Sequence, residues 1–216
     1  MRLFVPFNAR STEYGSLVIT HGISIQAHGF GGITAVSGTA ITVSVTTSDP
    51  VTLNGLLIDG GGGGENGIYI TSGPSVQILN SVVRHFQFGI RDNTSTNGSN
   101  LLIEDTIVSD NLGPGIAVVP SGSTAQVTLN RITTNNNSNG VVTAGTNTTI
   151  ANSVMSNNSA YGLNNLSDTT WLAKTVISGN ASGVNVAGGT VVSYGDNYIN
   201  NNTTPVSGSL TPVSTQ

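Results

Sequence analysis

Apolar residues in this chain come in short runs rich in Val and Ile, broken by Asn, Gly and Ser. No segment sustains a helical period over 10 to 12 residues between turn signals, so helical repeats are excluded. The runs instead resemble one another along the chain. DTIVSDNLGPGI at 105–116 becomes NSVMSNNSAYGL at 152–163 and KTVISGNASGV at 174–184. Aligning them gives an anchor position at Asn54, Asn80, Asp105, Asn130, Asn152, Lys174 and Asp196, with spacings of 22 to 26. Two residues on stand Leu56, Val82, Ile107, Ile132, Val154, Val176 and Tyr198. The next position is mostly apolar as well: Leu57, Val83, Val108, Thr133, Met155, Ile177 and Ile199. Six residues after the anchor comes Asn111, Asn136, Asn158, Asn180 or Asn202. A Gly then precedes an aliphatic residue, as in Gly67-Ile68, Gly115-Ile116 and Gly162-Leu163.

A recurring unit of this length, with two or three strand-like runs and Asn or Gly between them, describes one coil of a solenoid. One coil cannot bury its apolar face alone, whereas stacked coils make a continuous core. The pattern therefore predicts an all-β, single-stranded parallel β-helix of about 7–8 coils, 22–26 residues per coil. At one strand spacing per coil the rod would be ~35–40 Å long. The usual hand of parallel crossovers makes it right-handed. Residues 1–16 are expected to be an N-terminal cap or leader, 17–204 the β-helix, and 205–216 a C-terminal tail. Ile107 and Val154 are expected in the core, with Thr106 and its equivalents outside. Tyr198 is expected in the core too. Stacked Asn side chains at a bend would hydrogen-bond from coil to coil, since Asn tolerates the left-handed backbone that a bend requires.

Composition narrows the function classes. The 216 residues carry few charges, 7 %, and a formal net charge of −4. No basic patch exists, so nucleic acid is not an expected partner. The chain has no Cys, hence no thiolate metal site and no cysteine nucleophile. The opening MRLFVPF is too short for a signal-peptide core and for a membrane span, and Pro6 breaks it. An export signal would have been removed or never present; an extracellular or cell-surface location is favoured.

The densest candidate chemistry lies five residues after the anchor, at Asp59, His85, Asp110, Asn135, Asn157, Gly179 and Asn201. If Asp59, His85 and Asp110 stack on successive coils, a His between two carboxylates could serve as general acid or base. The competing reading is a polar turn ladder. Arg84 and Arg91 flank the same region, either as part of the catalytic group or as surface ion-pair residues. Glu104 and Asp105 are adjacent, so on a strand they would point to opposite faces and not chelate together. Gly60 to Gly64 reads as a flexible loop, with the insert from Asp92 to Asn100 as its counterpart one coil on. Phe86 and Phe88 are core or loop packing, or a small apolar patch beside His85. No cofactor and no metal site are expected.

The coil pattern resembles the right-handed parallel β-helix proteins of the pectin-lyase-like superfamily, and looks most like its bacterial repeat proteins of unassigned function. The residues carrying the resemblance are Asn80-Ser81-Val82, Asn152-Ser153-Val154 and the closing Tyr194-Gly195-Asp196-Asn197. It covers about residues 17 to 204 and implies fold more than activity, because the superfamily holds lyases, hydrolases, adhesins and proteins without known reaction. In its polysaccharide lyases an Arg is the usual base and an acidic cluster binds Ca2+, so Ca2+ is expected here only under a lyase reading. Such proteins usually start with an amphipathic helix that plugs the rod; residues 1–16 show none, which would leave an open first coil able to pair with another chain. Three hypotheses follow. The chain is a non-catalytic scaffold, structural or associated with glycans at a surface. Alternatively it is a polysaccharide lyase or glycoside hydrolase acting on acidic polysaccharide through the 59–110 region, with Asp59, His85, Asp110, Arg84 and Arg91 at its centre. A third reading is a self-assembling adhesin-like module, a homo-oligomer through the N-terminal coil.

Overall fold

A computed structural model describes residues 2–3, 15–121 and 125–213. They form one 23-stranded sheet, wound so that each coil pairs in parallel with the coils before and after it. About eight turns stack into a parallel β-solenoid, and no described helix is long and apolar enough to cross a membrane.

Three strand-lined faces enclose the core. On the first, Ile58, Val83, Val108, Thr134, Met155, Ile177 and Ile199 stand directly over one another and point inward. On the second, the inward file is Ile68, Ile90, Ile116, Val141, Leu163 and Val184. On the third it includes Leu53, Ile78, Ile103, Leu129, Ile150 and Leu172. Stacking like on like lets each side chain bury itself against its own counterpart one strand spacing away.

Two corners of the coil need a residue in the left-handed backbone region. At the first corner these are Gly55, Asn80, Asp105, Arg131, Asn152 and Lys174, with φ between 48° and 73°. At the second they are His85, Asp110, Asn136, Asn157, Gly179 and Asn201, with φ between 52° and 75°. The sequence alignment misplaces three of these corner residues by one. It takes Asn54 and Asn130 as anchors because they are Asn, and Asn135 follows by spacing, yet the corners fall on Gly55, Arg131 and Asn136. Correspondingly, Thr133 and not Ile132 shares a file with Ile107 and Val154, and Leu57 and not Leu56 pairs with Val82.

The inside and outside of the first face are also reversed relative to expectation. Ile107 is 45 % exposed, Tyr198 is 67 % exposed and Val154 is half-buried, all on the outer surface. Thr106, expected outside, is buried. Its hydroxyl donates to Glu104 O at 2.8 Å and accepts the Ser81 N–H at 3.4 Å. Ser81 and Ser153 make equivalent bonds: each hydroxyl donates to the carbonyl two residues back and accepts an N–H of the preceding coil, from Leu56 and Ile132 respectively.

Just past the second corner runs an asparagine ladder of Asn111, Asn137, Asn158, Asn180 and Asn202, buried except for half-buried Asn202. From Asn137 onward each Oδ1 accepts both the backbone N–H and the Nδ2–H of the Asn one coil earlier, at 2.8–3.3 Å. Its second member is Asn137, where the sequence spacing had chosen Asn136. The ladder stops at Phe86, whose N–H donates to Asn111 Oδ1 and whose ring takes the place of the next amide.

That ring explains the two ends of the five-glycine run. Gly60 to Gly64 lies within the long strand Val51–Ser72 but bulges at a register shift between Asp59 and Gly64, with Gly61, Gly62 and Gly63 exposed. A Cβ on Gly60 or Gly64 would collide with the Phe86 ring. The larger side chain at the ladder position is accommodated by bare backbone above it.

Most of the expected N-terminal cap lies outside the described residues. Arg2–Leu3 is a strand that pairs with Ser24 and Ile25. At the other end, Thr204–Ser207 and Leu210–Pro212 pair with the coil before them, so winding continues to Pro212.

Candidate functional site

Asp59 ends the outward side of a first-face strand, in register with Arg84 and Ser109 on the next two coils. The corner residue His85 follows Arg84, and its left-handed backbone turns its side chain back toward Asp59. Arg84 Nε donates to Asp59 Oδ2 at 2.9 Å, and His85 Nδ1 lies 2.9 Å from Asp59 Oδ1. Gly61 N–H donates to the same Oδ1 at 2.9 Å. Partial burial pulls the Asp59 carboxyl up, but the Gly61, His85 and Arg84 hydrogen bonds outweigh it, and the group sits below the ordinary carboxylate value. The carboxylate stays ionised and each of its oxygens is engaged.

The structure brings together three of the five candidate residues. Asp110 is at the same corner as His85 one coil on, yet its Oδ1 accepts from Asn136 Nδ2 at 3.2 Å and no hydrogen bond or ion pair joins it to His85. The sandwich of one imidazole between two carboxylates is therefore not formed: His85 is bonded to Asp59, whereas Asp110 is bonded along its own corner file to Asn136. Arg91 is on the second face, with its guanidinium 4.9 Å from the centre of the Phe88 ring and 5.4 Å from that of Tyr69. It belongs to a cation–aromatic stack and not to the Asp59 group. Phe86 is core and Phe88 is half-buried in that stack.

Glu104 and Asp105 do converge, against the strand-based expectation. Asp105 occupies the first corner, where alternation breaks, so both carboxylates reach Arg131 of the next coil. Arg131 donates to Asp105 Oδ1 and Oδ2 at 2.7 and 2.8 Å and to Glu104 Oε1 at 2.8 Å. The Arg131 hydrogen bond holds the Asp105 carboxyl below its usual value. This is a solvent-exposed ion cluster, whose worth in stability is small. Among the described residues no group of three or more His, Asp or Glu is placed to hold a metal ion.

One ionisable residue was missed. The sequence pattern puts Asp92 at the start of an insert, but the residue is 2 % exposed and stands in an inward file between Ile70 and Val118. Strand alternation could have found it: Ile90 points in, Arg91 out, and Asp92 in again. Burial pushes its carboxyl up to about 6, partly offset by the Thr94 N–H that donates to Oδ1 at 2.9 Å.

The chemistry available at Asp59 is that of one imidazole oriented by one carboxylate, next to a paired guanidinium. His85 Nε2 is the ring nitrogen without a partner among the described residues. A family model described as a right-handed β-helix region matches residues 17–180 and again residues 66–211. No curated protein and no solved structure gave a match. The winding, the two corner files and the sequence match over most of the chain agree: this chain belongs to the right-handed β-helix family.

Proposed function

We propose that this chain is a non-catalytic β-helix, a scaffold whose long outer faces associate with glycan at a surface. The observation that carries this reading is the saturation of the candidate site. Asp59 gives its two oxygens to three donors on its own chain, and Asp110 is engaged by Asn136. Polysaccharide cleavage by carboxylates needs two of them across the scissile bond, or a base beside a neutralised acid group. Here the second carboxylate is bonded along the corner file. The outer face supports the scaffold reading as well. Leu57, Val82, Ile107, Thr133, Val154, Val176 and Tyr198 form one outward file, beside an outward file that includes Ser109, Asn135, Ser156, Ser178 and Asn200. An apolar row beside a hydroxyl and amide row matches the alternating C–H and O–H surfaces of a sugar chain.

The enzymatic alternative keeps one supporting observation: a carboxylate-oriented His85 with a free Nε2 has the layout of a general acid or base. Incubation with polygalacturonate, alginate and neutral glycans, with and without Ca2+, separates the two. Expected are retardation of the protein in polysaccharide-containing gels and no release of unsaturated or reducing ends. Product release that disappears in His85→Asn would overturn the scaffold reading, because Asn keeps the corner backbone and removes only the imidazole.

A further inference from the structure

An Asn followed by Gly is prone to lose its side-chain amide, because a glycine nitrogen has no side chain beside it to hinder attack on the Asn Cγ. The chain has four such pairs: Asn54-Gly55, Asn66-Gly67, Asn97-Gly98 and Asn139-Gly140. The reaction needs the Asn side chain to fold back onto the next backbone nitrogen. A strand opposes this, since it keeps the backbone extended and the side chain standing away from it. Three of the pairs are held in that way. Asn54 is in register with Gln26 and Leu79, and its Oδ1 accepts from Asn80 Nδ2 at 3.0 Å. Asn66 is buried, in register with Thr39 and Phe88, and its Nδ2 donates to Thr39 Oγ1 at 2.9 Å. Asn139 is in register with Tyr161, its Nδ2 donates to Ser138 Oγ at 2.9 Å, and its Oδ1 is buried. Space is lacking too: a Cβ on Gly67 would stand 2.6 Å from Gly89 O, and one on Gly140 2.5 Å from Gly162 O.

Asn97-Gly98 differs on each count. The pair forms a turn in the segment 93–99, which crosses from the strand Val82–Asp92 to the strand Asn100–Glu104. Both residues are exposed, and neither the Asn97 amide nor the Gly98 N–H has a hydrogen-bond partner among the described residues. A Cβ on Gly98 would meet nothing within 4 Å, so the Asn97 side chain has room to swing onto the Gly98 nitrogen. The turn is anchored on both sides, by Ser95 N–H to Thr71 O at 3.2 Å and Asn100 N–H to Pro74 O at 3.0 Å. It can therefore change shape without unwinding a coil.

We propose that Asn97 is a site of self-modification, at which the folded protein loses one amide as ammonia and gains one carboxylate. The Gly98 nitrogen, deprotonated by hydroxide, attacks Asn97 Cγ; the bond from Cγ to the amide nitrogen breaks, and ammonia leaves with a proton taken from water. The five-membered imide so formed is opened by water at either carbonyl. One opening leaves an aspartyl residue, the other an isoaspartyl residue whose main chain runs through the former side chain. The net change is amide plus water to carboxylate plus ammonium, and the two reacting groups are neighbours on one chain, so no partner has to be brought to them. The new charge adds to a formal net charge of −4. It arises next to Ser95 and Thr96, which wall a cleft lined by the hydroxyls of Thr46, Thr47, Ser48 and Ser72 and by no charged side chain.

Timed incubation of the whole folded chain at mildly alkaline pH, followed by tryptic mapping, tests this. Trypsin separates the pairs: Asn97 falls in fragment 92–131, Asn139 in 132–174, and Asn54 and Asn66 in 11–84. Fragment 92–131 is expected to gain about 1 Da and to become a substrate of isoaspartyl methyltransferase about tenfold faster than the other two, or more, because a pair held in a strand reacts only through local opening. In denaturant the four pairs should react at similar rates, which shows that the fold and not the local sequence selects Asn97. Asn97→Gln, whose longer side chain would have to close a larger ring, should leave fragment 92–131 unchanged over the same period. A folded protein in which 92–131 converts no faster than the other fragments would overturn the proposal, as would conversion of that fragment at the wild-type rate in Asn97→Gln.

Discussion

Thr106, Ile107 and Val108 are consecutive, and each meets a different surrounding. Thr106 is inside because its hydroxyl completes two backbone groups at the corner; Ile107 faces solvent; Val108 is fully buried in the first-face file. A carboxylate at Val108 would stand in a continuous apolar column with no partner, a loss of several kcal/mol. Val108→Asp should therefore lower the melting temperature steeply or abolish folding, whereas Ile107→Asp should change stability by less than about 1 kcal/mol. Equal melting temperatures for the two would reverse the face assignment. The sequence shows two apolar residues side by side in each coil but not which one is inside, because a strand of three residues holds too little alternation to fix its phase. The phase is set by the corner residue, and Arg131 and Gly55 serve as corners without looking like Asn. The same slip of one residue separated Asp59 from the file of His85 and Asp110, while leaving it close enough to bond to His85.

At the level of the corner, the two neighbours Asn136 and Asn137 do different work. Asn136 is exposed and holds a left-handed backbone at φ 55°, and its one side-chain hydrogen bond, to Asp110, is on the surface where it contributes little to stability. Asn137 is buried, receives two donors from Asn111, and gives its own N–H and Nδ2–H to Asn158 Oδ1. Asn137→Ala strands the Asn111 N–H and Nδ2–H in the interior and should cost about 3 kcal/mol or more. Asn136→Gly should be neutral or slightly stabilising, since glycine adopts this backbone at no steric cost. Chemical denaturation of the two variants checks this. The existence of an asparagine row was legible from spacing alone; its third dimension was not, since two Asn in sequence are equally good candidates until one is known to occupy the bend. The glycine run misled for a related reason: bare backbone signals freedom in isolation, and here Gly60 and Gly64 leave room for the Phe86 ring of the next coil.

Across the whole molecule, the repeat is a unit of construction. Val154 pairs with Val176 and Met155 with Ile177, so removing residues 154–175 would bring Val176 into the place of Val154 and Asn180 into that of Asn158. That deletion should give a folded, shorter rod with the same strand-type circular dichroism and a lower melting temperature, because contacts in a solenoid are made only with adjacent coils. Removing residues 154–170 instead breaks register at the corners and should not fold. The architecture was readable from the recurrence because every coil faces the same packing problem and solves it with similar residues. The candidate site was only partly readable, because a site is where one coil differs from the others, and a repeat alignment averages over such differences.

The asparagine row also has a direction. Every amide oxygen in it reaches back toward the coil already made: Asn111 serves Phe86, Asn137 serves Asn111, and so on to Asn202, which serves Asn180. A rod cut short after any of these turns would therefore end on an Asn whose N–H and Nδ2–H lack the acceptor that the following turn supplies. The two ends of the row are chemically unlike, one closed by an aromatic ring and the other open to water.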